Sequence, residues 1–220
     1  MSQLLIVEGN DAIPIANLLR KRKLLAPIGY EDAQKFKDEF IKKTNGYNNL
    51  PKAIEEALSE SNLTNIGIIL DANDVGAKKR WENLKSLLID KVEDSALETI
   101  QNYGTGKVIL DGNLTIGIWI MPDNQNAGYL EHFLAKLIPA SDKTWNFAQE
   151  TIETLKLSGF QAFSDAKTQK ALLHTWLAWQ KEPGRPFGQA AELGYFDIAS
   201  PVLDDFEAWF KATFQLSVPA

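Results

Sequence analysis

Three apolar segments that each end in a carboxylate constrain the fold of this 220-residue chain more than any other feature. They run from Leu4 to Glu8, from Asn65 to Asp71 and from Leu114 to Asp123. Continuous apolar runs rich in β-branched residues are typical of parallel strands that helices cover on both faces. A predicted helix follows each run, in the order 11–25, 75–89 and 127–138. Strands that alternate with helices in this way indicate an α/β fold with a doubly wound sheet.

The rest of the chain fills in this architecture. Asp111-Gly112 between two apolar runs predicts a β-hairpin, so the sheet should be mixed on that side. We therefore expect a Rossmann-like, mostly parallel sheet with flanking helices in residues 1–140, and a helical C-terminal extension, residues 141–220, packed on it as one structural unit. Further helices are predicted at 30–43, 52–59, 142–157, 165–180 and 200–214.

Composition narrows the possible functions. The chain contains no cysteine, which rules out disulfides and cysteine-ligated zinc. It shows no signal-peptide pattern and no apolar stretch of membrane-spanning length, so we expect a cytoplasmic protein with no membrane partner. The formal net charge of −6 repels polyanions overall. Nucleic acid would therefore have to bind through a local basic surface.

The carboxylates at the ends of the three strands predict a metal site. Ligands of open α/β sheets bind beyond the carboxyl ends of the strands, where Glu8, Asp71 and Asp123 should lie. Asp74 and Glu131 lie close by in the sequence. Gathered carboxylates repel one another unless a cation offsets their charge, and Mg²⁺ (or Mn²⁺) prefers oxygen ligands. The alternative is that Asp71 or Asp74 only caps the following helix.

Several of these motifs resemble a known family. Val7-Glu8-Gly9-Asn10-Asp11 resembles the first motif of Toprim domains, and Leu70-Asp71-Ala72-Asn73-Asp74 resembles the second, an Asp-x-Asp. Together with Lys79-Arg80-Trp81, residues 119–124, Gly128-Tyr129-Leu130-Glu131 and residues 184–188, the chain is most similar to the Toprim-related family called domain of unknown function 3226. This resemblance spans most of the sequence.

The resemblance implies a Toprim-like fold and a magnesium site built from these acids. Glu8 would act as general acid/base or ligand, and Asp71 as a ligand, so these two are the catalytic candidates. Asn73 replaces the second acid of the Asp-x-Asp motif and could ligate only through its neutral carbonyl. The full set of metal-ligand candidates is Glu8, Asp71, Asn73, Asp74, Asp123 and Glu131.

Two functions remain open at this stage. One is a magnesium-dependent enzyme acting on phosphodiesters, such as a nuclease, with phosphate held by basic residues; the candidates are Lys78, Lys79, Arg80 and Arg185. The other is a Toprim-fold module that binds a metal or a partner without catalysis, which Asn73 favours. Its partner could be an ATPase, by analogy with some Toprim defence systems.

Two other motifs overlap the predicted metal site in the sequence. Asp71 to Glu82 nearly matches a calcium-binding EF-hand loop, but Val75 occupies a ligand position and a strand, not a helix, precedes it. The same aspartate could be the nucleophile of a haloacid dehalogenase-type phosphatase, in which Asn73 would replace the expected acid. His132 lies beside Glu131 and is expected to be an exposed surface histidine.

Overall fold

The computed structural model describes residues 2–9 and 11–216. Six strands in this part of the chain form one sheet: β1 (Ser2–Glu8), β2 (Ile41–Thr44), β3 (Leu63–Asp71), β4 (Gln101–Tyr103), β5 (Gly106–Asp111) and β6 (Leu114–Met121). Their order is β2-β1-β3-β6-β5-β4. The first four strands in that order run parallel, while β5 and β4 are antiparallel to their neighbours. The predicted α/β fold with a mostly parallel, mixed-edge sheet is thus confirmed.

Helices cover both faces of the sheet. In the described residues these are α1 (Ala12–Lys21), α2 (Ala33–Phe40), α3 (Leu50–Leu58), α4 (Ala77–Leu88), α5 (Asp94–Glu98), α6 (Leu130–Ala135), α7 (Lys143–Leu157), α8 (Thr168–Ala178), α9 (Phe187–Leu193) and α10 (Pro201–Phe214). Short 3₁₀ turns occupy Ala26–Ile28, Tyr47–Asn49 and Asp165–Lys167. None of these helices has the length and apolar content needed to span a bilayer.

Alternation along the strands divides the core into two layers. Leu5 and Val7 face a layer that α1, α2 and the helices from α6 to α10 contribute to. Ile6 faces the opposite layer, which α3, α4 and α5 cover. Burial of apolar side chains on both faces explains why these strands are apolar throughout. It also means that neighbouring residues at the end of a strand approach the sheet edge from opposite faces.

The last helix packs directly on the centre of the sheet. Gly117 of β6 lies under Thr213, so close that a Cβ at position 117 would be 1.9 Å from the Thr213 Oγ1. Its paired residue in β3 is Gly67. Trp209, Phe210 and Phe214 share one core with the strands. The absence of side chains at the two paired glycines is what allows α10 to approach the sheet.

One predicted helix is wrong at its C-terminal end. The helical pattern of 30–43 ends at Phe40, and Ile41 is extended with φ −105° and ψ 120°. Ile41 to Thr44 instead form β2, which pairs with β1 in parallel register. Edge pairing with a strand 36 residues earlier has no signature in the local periodicity. β4, α5 and α9 were not predicted, and the third apolar run ends as a strand at Met121, two residues before Asp123.

Candidate functional site

Four carboxylates meet at the carboxyl edge of the sheet. Glu8 ends β1, Asp71 ends the neighbouring strand β3, Asp11 directly precedes α1 and Glu131 lies in the first turn of α6. The Glu8 Oε2 accepts a hydrogen bond from the Asp71 backbone N–H over 3.1 Å. Glu8 and Glu131 are each only 9% exposed. We call these four residues the acidic cluster.

The members of the cluster perturb one another electrostatically. Burial, followed by the charges of Glu8 and Glu131, raises the pKa of Asp71 to about 7. The backbone N–H of Leu130 and the charge of Arg80 oppose that rise. An acid whose pKa lies near 7 stays partly protonated at neutral pH, because no positive group fully offsets its charge.

Asp11 is the most perturbed acid of the cluster. Burial raises its pKa to about 8, and the charges of Asp71, Glu131 and Glu8 add to the effect. Lys170 opposes the rise; its ammonium lies 3.4 Å from the Glu131 Oε1. The sequence places Asp11 at a helix start, where a capping role is usual. Its side chain makes no cap hydrogen bond, however, so its carboxyl group remains with the cluster.

Asp71 carries an unsatisfied oxygen. Its Oδ1 is buried and has no hydrogen-bond partner among the described residues. A buried carboxylate oxygen without a donor is unfavourable unless a proton or a cation neutralises it. Neither Asp71 nor Asp74 caps the next helix, because Gly76 occupies the N-cap of α4. The capping alternative for these two aspartates is therefore wrong.

Asp123 lies apart from the cluster. Its Oδ1 accepts backbone N–H groups of Gln125 (3.1 Å) and Asn126 (2.8 Å), and its Oδ2 accepts from the Asn126 side chain and pairs with Lys136. Partial burial alone would raise its pKa, but these partners together outweigh that effect and hold the pKa at about 2. Both oxygens are committed to their own loop. The structure thus does not bring this predicted ligand to Glu8 and Asp71.

The second motif follows an unusual backbone path. Asn73 has a φ of +50°, and it forms an isolated antiparallel bridge with Gly128 through N–H···O bonds of 2.7 and 3.0 Å. This turn leaves Asp74 exposed, near Tyr129 and His132. Burial raises the pKa of Tyr129, and the charges of Glu131 and Asp74 add to that rise. Asn10, which belongs to the first motif, lies outside the described residues.

His132 is half-buried rather than exposed, so that expectation is wrong. Its Nδ1 accepts the Tyr129 backbone N–H at 3.3 Å. Burial lowers the pKa of His132, and the charge of Glu131 acts against that shift.

The four predicted phosphate-binding residues differ in their surroundings. Lys78 is exposed, and Lys79 lies 3.7 Å from Glu82 on the same helix. Arg185 pairs with Glu182 and contacts Gln189. Arg80 stacks on Tyr47, and its charge reaches Asp71. Among these four, Arg80 is therefore the one whose charge acts on an acid of the cluster.

The donor set suits an open cation site. Within residues 2–9 and 11–216, no three His, Cys, Asp or Glu side chains are arranged as a ready-made metal site. Magnesium is usually held by one or two carboxylates, and water and substrate phosphate oxygens complete its octahedron. Asp71, with its unpartnered Oδ1, and Glu8 fit that requirement, whereas a closed all-protein site does not fit.

Comparison with known proteins gives one match. A family model described as "Protein of unknown function (DUF3226)" matches residues 2–215, almost the entire chain. No curated protein and no solved structure matches.

Proposed function

The chain belongs to the DUF3226 family, and we propose that it is a Mg²⁺- or Mn²⁺-dependent protein that acts on phosphodiesters. The supporting observation is the buried Oδ1 of Asp71, which has no donor among the described residues, while the charges of Glu8 and Glu131 act on the same carboxyl group. A divalent cation satisfies such an oxygen and removes the repulsion within the cluster at the same time. A proton on Asp71 could satisfy its oxygen, but a single proton would not offset the several negative charges of the cluster.

The chemistry follows from the surroundings of each residue. When bound, Mg²⁺ would polarise a phosphoryl oxygen and lower the pKa of a bound water. Asp71 and Glu8 would hold it, and Glu131 is buried beside them. Asp11, whose pKa burial raises to about 8, would release its proton as the cation binds beside it.

A Toprim-like classification of the fold supports the same function. The sheet order, with Glu8 and Asp71 ending adjacent parallel strands, is compatible with the resemblance of the two short motifs. Toprim domains act on phosphodiesters in topoisomerases, primases and nucleases. Nuclease-like phosphoryl transfer is therefore the reaction class we propose.

Thermal unfolding with and without divalent cations tests metal binding. At ten times its dissociation constant, a ligand adds about 1.4 kcal/mol to the free energy of unfolding, or about 3–5 °C for a chain of this size. We expect this shift with Mg²⁺ or Mn²⁺ in the wild type and its loss in Asp71→Asn. The Asp123→Asn variant is the matched control, since its carboxylate is already saturated, and it should retain the shift. A wild type that responds to neither cation would exclude the metal site.

Cleavage of labelled single- and double-stranded DNA and RNA tests the reaction. The wild type, Glu8→Gln and Asp71→Asn should be purified identically. Metal-dependent cleavage that disappears in both variants supports a nuclease. Cleavage of equal rate in all three proteins would come from a contaminant and would count against the enzyme.

A second function, a binding module without catalysis, has its own support. The described residues contain no ready-made three-ligand site, and Asn73 supplies no charge where an acid is expected. Phe147 of α7 and Trp179, which directly follows α8, lie with their ring centroids 5.4 Å apart and their planes tilted by 35°, yet both are largely exposed (59% and 42%). An exposed aromatic pair suits a protein partner such as an ATPase. Metal binding without cleavage of any nucleic acid would favour this second function.

A further inference from the structure

Arg80 holds an unsatisfied donor close to the acidic cluster. Its guanidinium carbon lies 3.9 Å from the centroid of the Tyr47 ring. Its Nε is buried and has no hydrogen-bond partner in the described part of the chain. Nor does the guanidinium form an ion pair there, although its charge acts on Asp71. Arg80 is half-buried and close to carboxylates but pairs with none of them in the described residues. Its stacking on the Tyr47 ring therefore holds it in place.

Thr44 presents a second unsatisfied group near the same edge. It is 3% exposed, and its Oγ1 is buried without a partner among the described residues. Thr44 ends β2 and is the register partner of Glu8 in the parallel pair β1–β2. Register partners in neighbouring strands project to the same face of a sheet, so the side chains of Thr44 and Glu8 lie on the same face at its carboxyl edge.

The chain brings the threonine and the arginine toward one face. Ile6 belongs to the layer under α3 and α4, and alternation places Glu8, two residues later, on that same face. The Gly46 N–H donates to the Thr44 carbonyl over 2.9 Å, which turns the chain toward Tyr47. Tyr47 in turn contacts Arg80 of α4. Two buried polar groups without partners, a guanidinium N–H and a hydroxyl, therefore lie on the α3/α4 side of the cluster.

We propose that Arg80, held by Tyr47, and Thr44 form a phosphate-binding subsite beside the acidic cluster. A stacked guanidinium keeps the N–H edge of its plane available, and that edge matches the geometry of phosphate oxygens. The hydroxyl of Thr44 can donate to a further phosphate oxygen. The inference rests on the proposed function in that the bound group would be the phosphate of the same substrate. Thr44 and Tyr47 were not identified from the sequence, because only the pairing of β2 with β1 places them at this edge.

Titration with inorganic phosphate tests the subsite. Binding should be measured by ³¹P NMR and by thermal shift, once in EDTA and once in Mg²⁺, with chloride at matched ionic strength as the reference. In both arms Arg80→Ala should weaken phosphate binding about tenfold or more, the usual effect of losing a charge-assisted hydrogen bond. Arg80→Lys should be weakened too, because an ammonium lacks the planar fork. Lys143→Ala, which changes an exposed lysine on α7, should bind as the wild type does.

Further variants separate binding from folding. Tyr47→Phe keeps the ring and should bind phosphate normally, whereas Tyr47→Leu should weaken binding. Thr44→Val removes only the hydroxyl and should lower the affinity severalfold while the far-UV circular dichroism stays unchanged. If Arg80→Ala does not fold, Arg80→Lys and Tyr47→Leu decide the question. Phosphate affinities of Arg80→Ala or Arg80→Lys equal to that of the wild type would overturn the proposal, as would a wild type that binds no phosphate in either arm.

The two arms distinguish this inference from the proposed function. Suppose that phosphate binding in EDTA depends on Arg80 and that Mg²⁺ causes no thermal shift. The phosphate subsite would then be supported and the metal site contradicted. A thermal shift with Mg²⁺ that Asp71→Asn abolishes would support the metal site. Phosphate binding that Arg80 substitutions do not change would contradict the subsite. Phosphate affinity that increases in Mg²⁺ and depends on Arg80 in both arms supports both.

Discussion

The backbone N–H of Asp71 donates a hydrogen bond to the side chain of Glu8, a residue 63 positions earlier in the chain, over 3.1 Å. This bond joins the ends of two adjacent parallel strands at the carboxyl edge of the sheet. It also fixes one carboxylate beside another without neutralising either. The acidic cluster consequently raises the free energy of the folded chain in the absence of a cation.

Replacing Asp71 by asparagine should stabilise the metal-free protein at alkaline pH. The substitution removes a buried charge that Glu8 and Glu131 repel, and we expect a gain of roughly 1–3 kcal/mol in the free energy of unfolding at pH 8. At about pH 3.5 the gain should nearly vanish, because Asp71 is then protonated in the folded wild type and largely protonated in the unfolded chain as well. Urea unfolding at both pH values measures this effect. Asp90→Asn, an exposed aspartate, is the control and should change little; loss of stability in Asp71→Asn at pH 8 would contradict the prediction.

The stability of the wild type should fall as pH rises from about 4 to about 8. Unfolded aspartates lose their protons near pH 3.9, while the folded chain retains protons on Asp71 up to about pH 7 and on Asp11 up to about pH 8. The native state therefore binds more protons over this interval, and its stability decreases with pH. Urea unfolding of the wild type and Asp11→Asn across this range checks it. The variant should show a shallower decline; parallel curves would mean that Asp11 titrates normally.

The cation-induced thermal shift should be larger at pH 8 than at pH 6. A cation binds the carboxylate forms, so protons must leave Asp71 and Asp11 before or during binding. Calorimetry of Mg²⁺ binding in buffers of different ionisation enthalpy measures the protons released. Release should approach zero only well above pH 8, where both acids are ionised before the cation binds. Binding that is equally tight at pH 6 and pH 8 would show that the cation does not contact these acids.

Asp123→Asn should destabilise the chain without affecting its response to a cation. This carboxylate gains its low pKa of about 2 from Lys136, Asn126 and Gln125, so its contribution is present above pH 4 and is lost as pH falls toward 2. Because the group is partly exposed, we expect a loss of about 1 kcal/mol at pH 7. Thermal unfolding with and without Mg²⁺ gives both results from one sample. A variant without any cation shift would place Asp123 in the metal site after all.

Gly117→Ala should be far more damaging than Gly67→Ala. A Cβ at 117 would meet the Thr213 Oγ1 at 1.9 Å and the Thr213 Cβ at 2.7 Å, so α10 itself would have to move. At 67 the nearest atom is the Leu5 Cδ1, at 2.7 Å, which is the end of a flexible side chain. We expect a loss of about 2–3 kcal/mol for Gly117→Ala and less for Gly67→Ala. Denaturant midpoints of the two variants, which lie at paired positions of β3 and β6, give the comparison; equal losses would contradict it.

Sequence patterns alone predict the parallel centre of the sheet, its hairpin, and the acids that end β1 and β3. Runs such as Asn65 to Asp71 are apolar on both faces, a pattern that only a strand covered by helices on both sides satisfies, and Asp111-Gly112 specified the hairpin. Glu8 and Asp71 follow from this directly, because the carboxyl ends of adjacent parallel strands share one edge. These inferences need only local periodicity and turn chemistry.

Which acids meet, and which basic group lies beside them, depends on how the elements pack in three dimensions. Asp11 and Glu131 join Glu8 and Asp71 because α1 and α6 begin at that edge, whereas Asp123 follows its strand by two residues and its loop donates hydrogen bonds to both of its oxygens. The stacking of Arg80 on Tyr47 likewise depends on β2 pairing with β1, and no local pattern encodes that pairing. Periodicity reports which face of an element is buried, but distances between side chains far apart in the chain are set by how the elements pack.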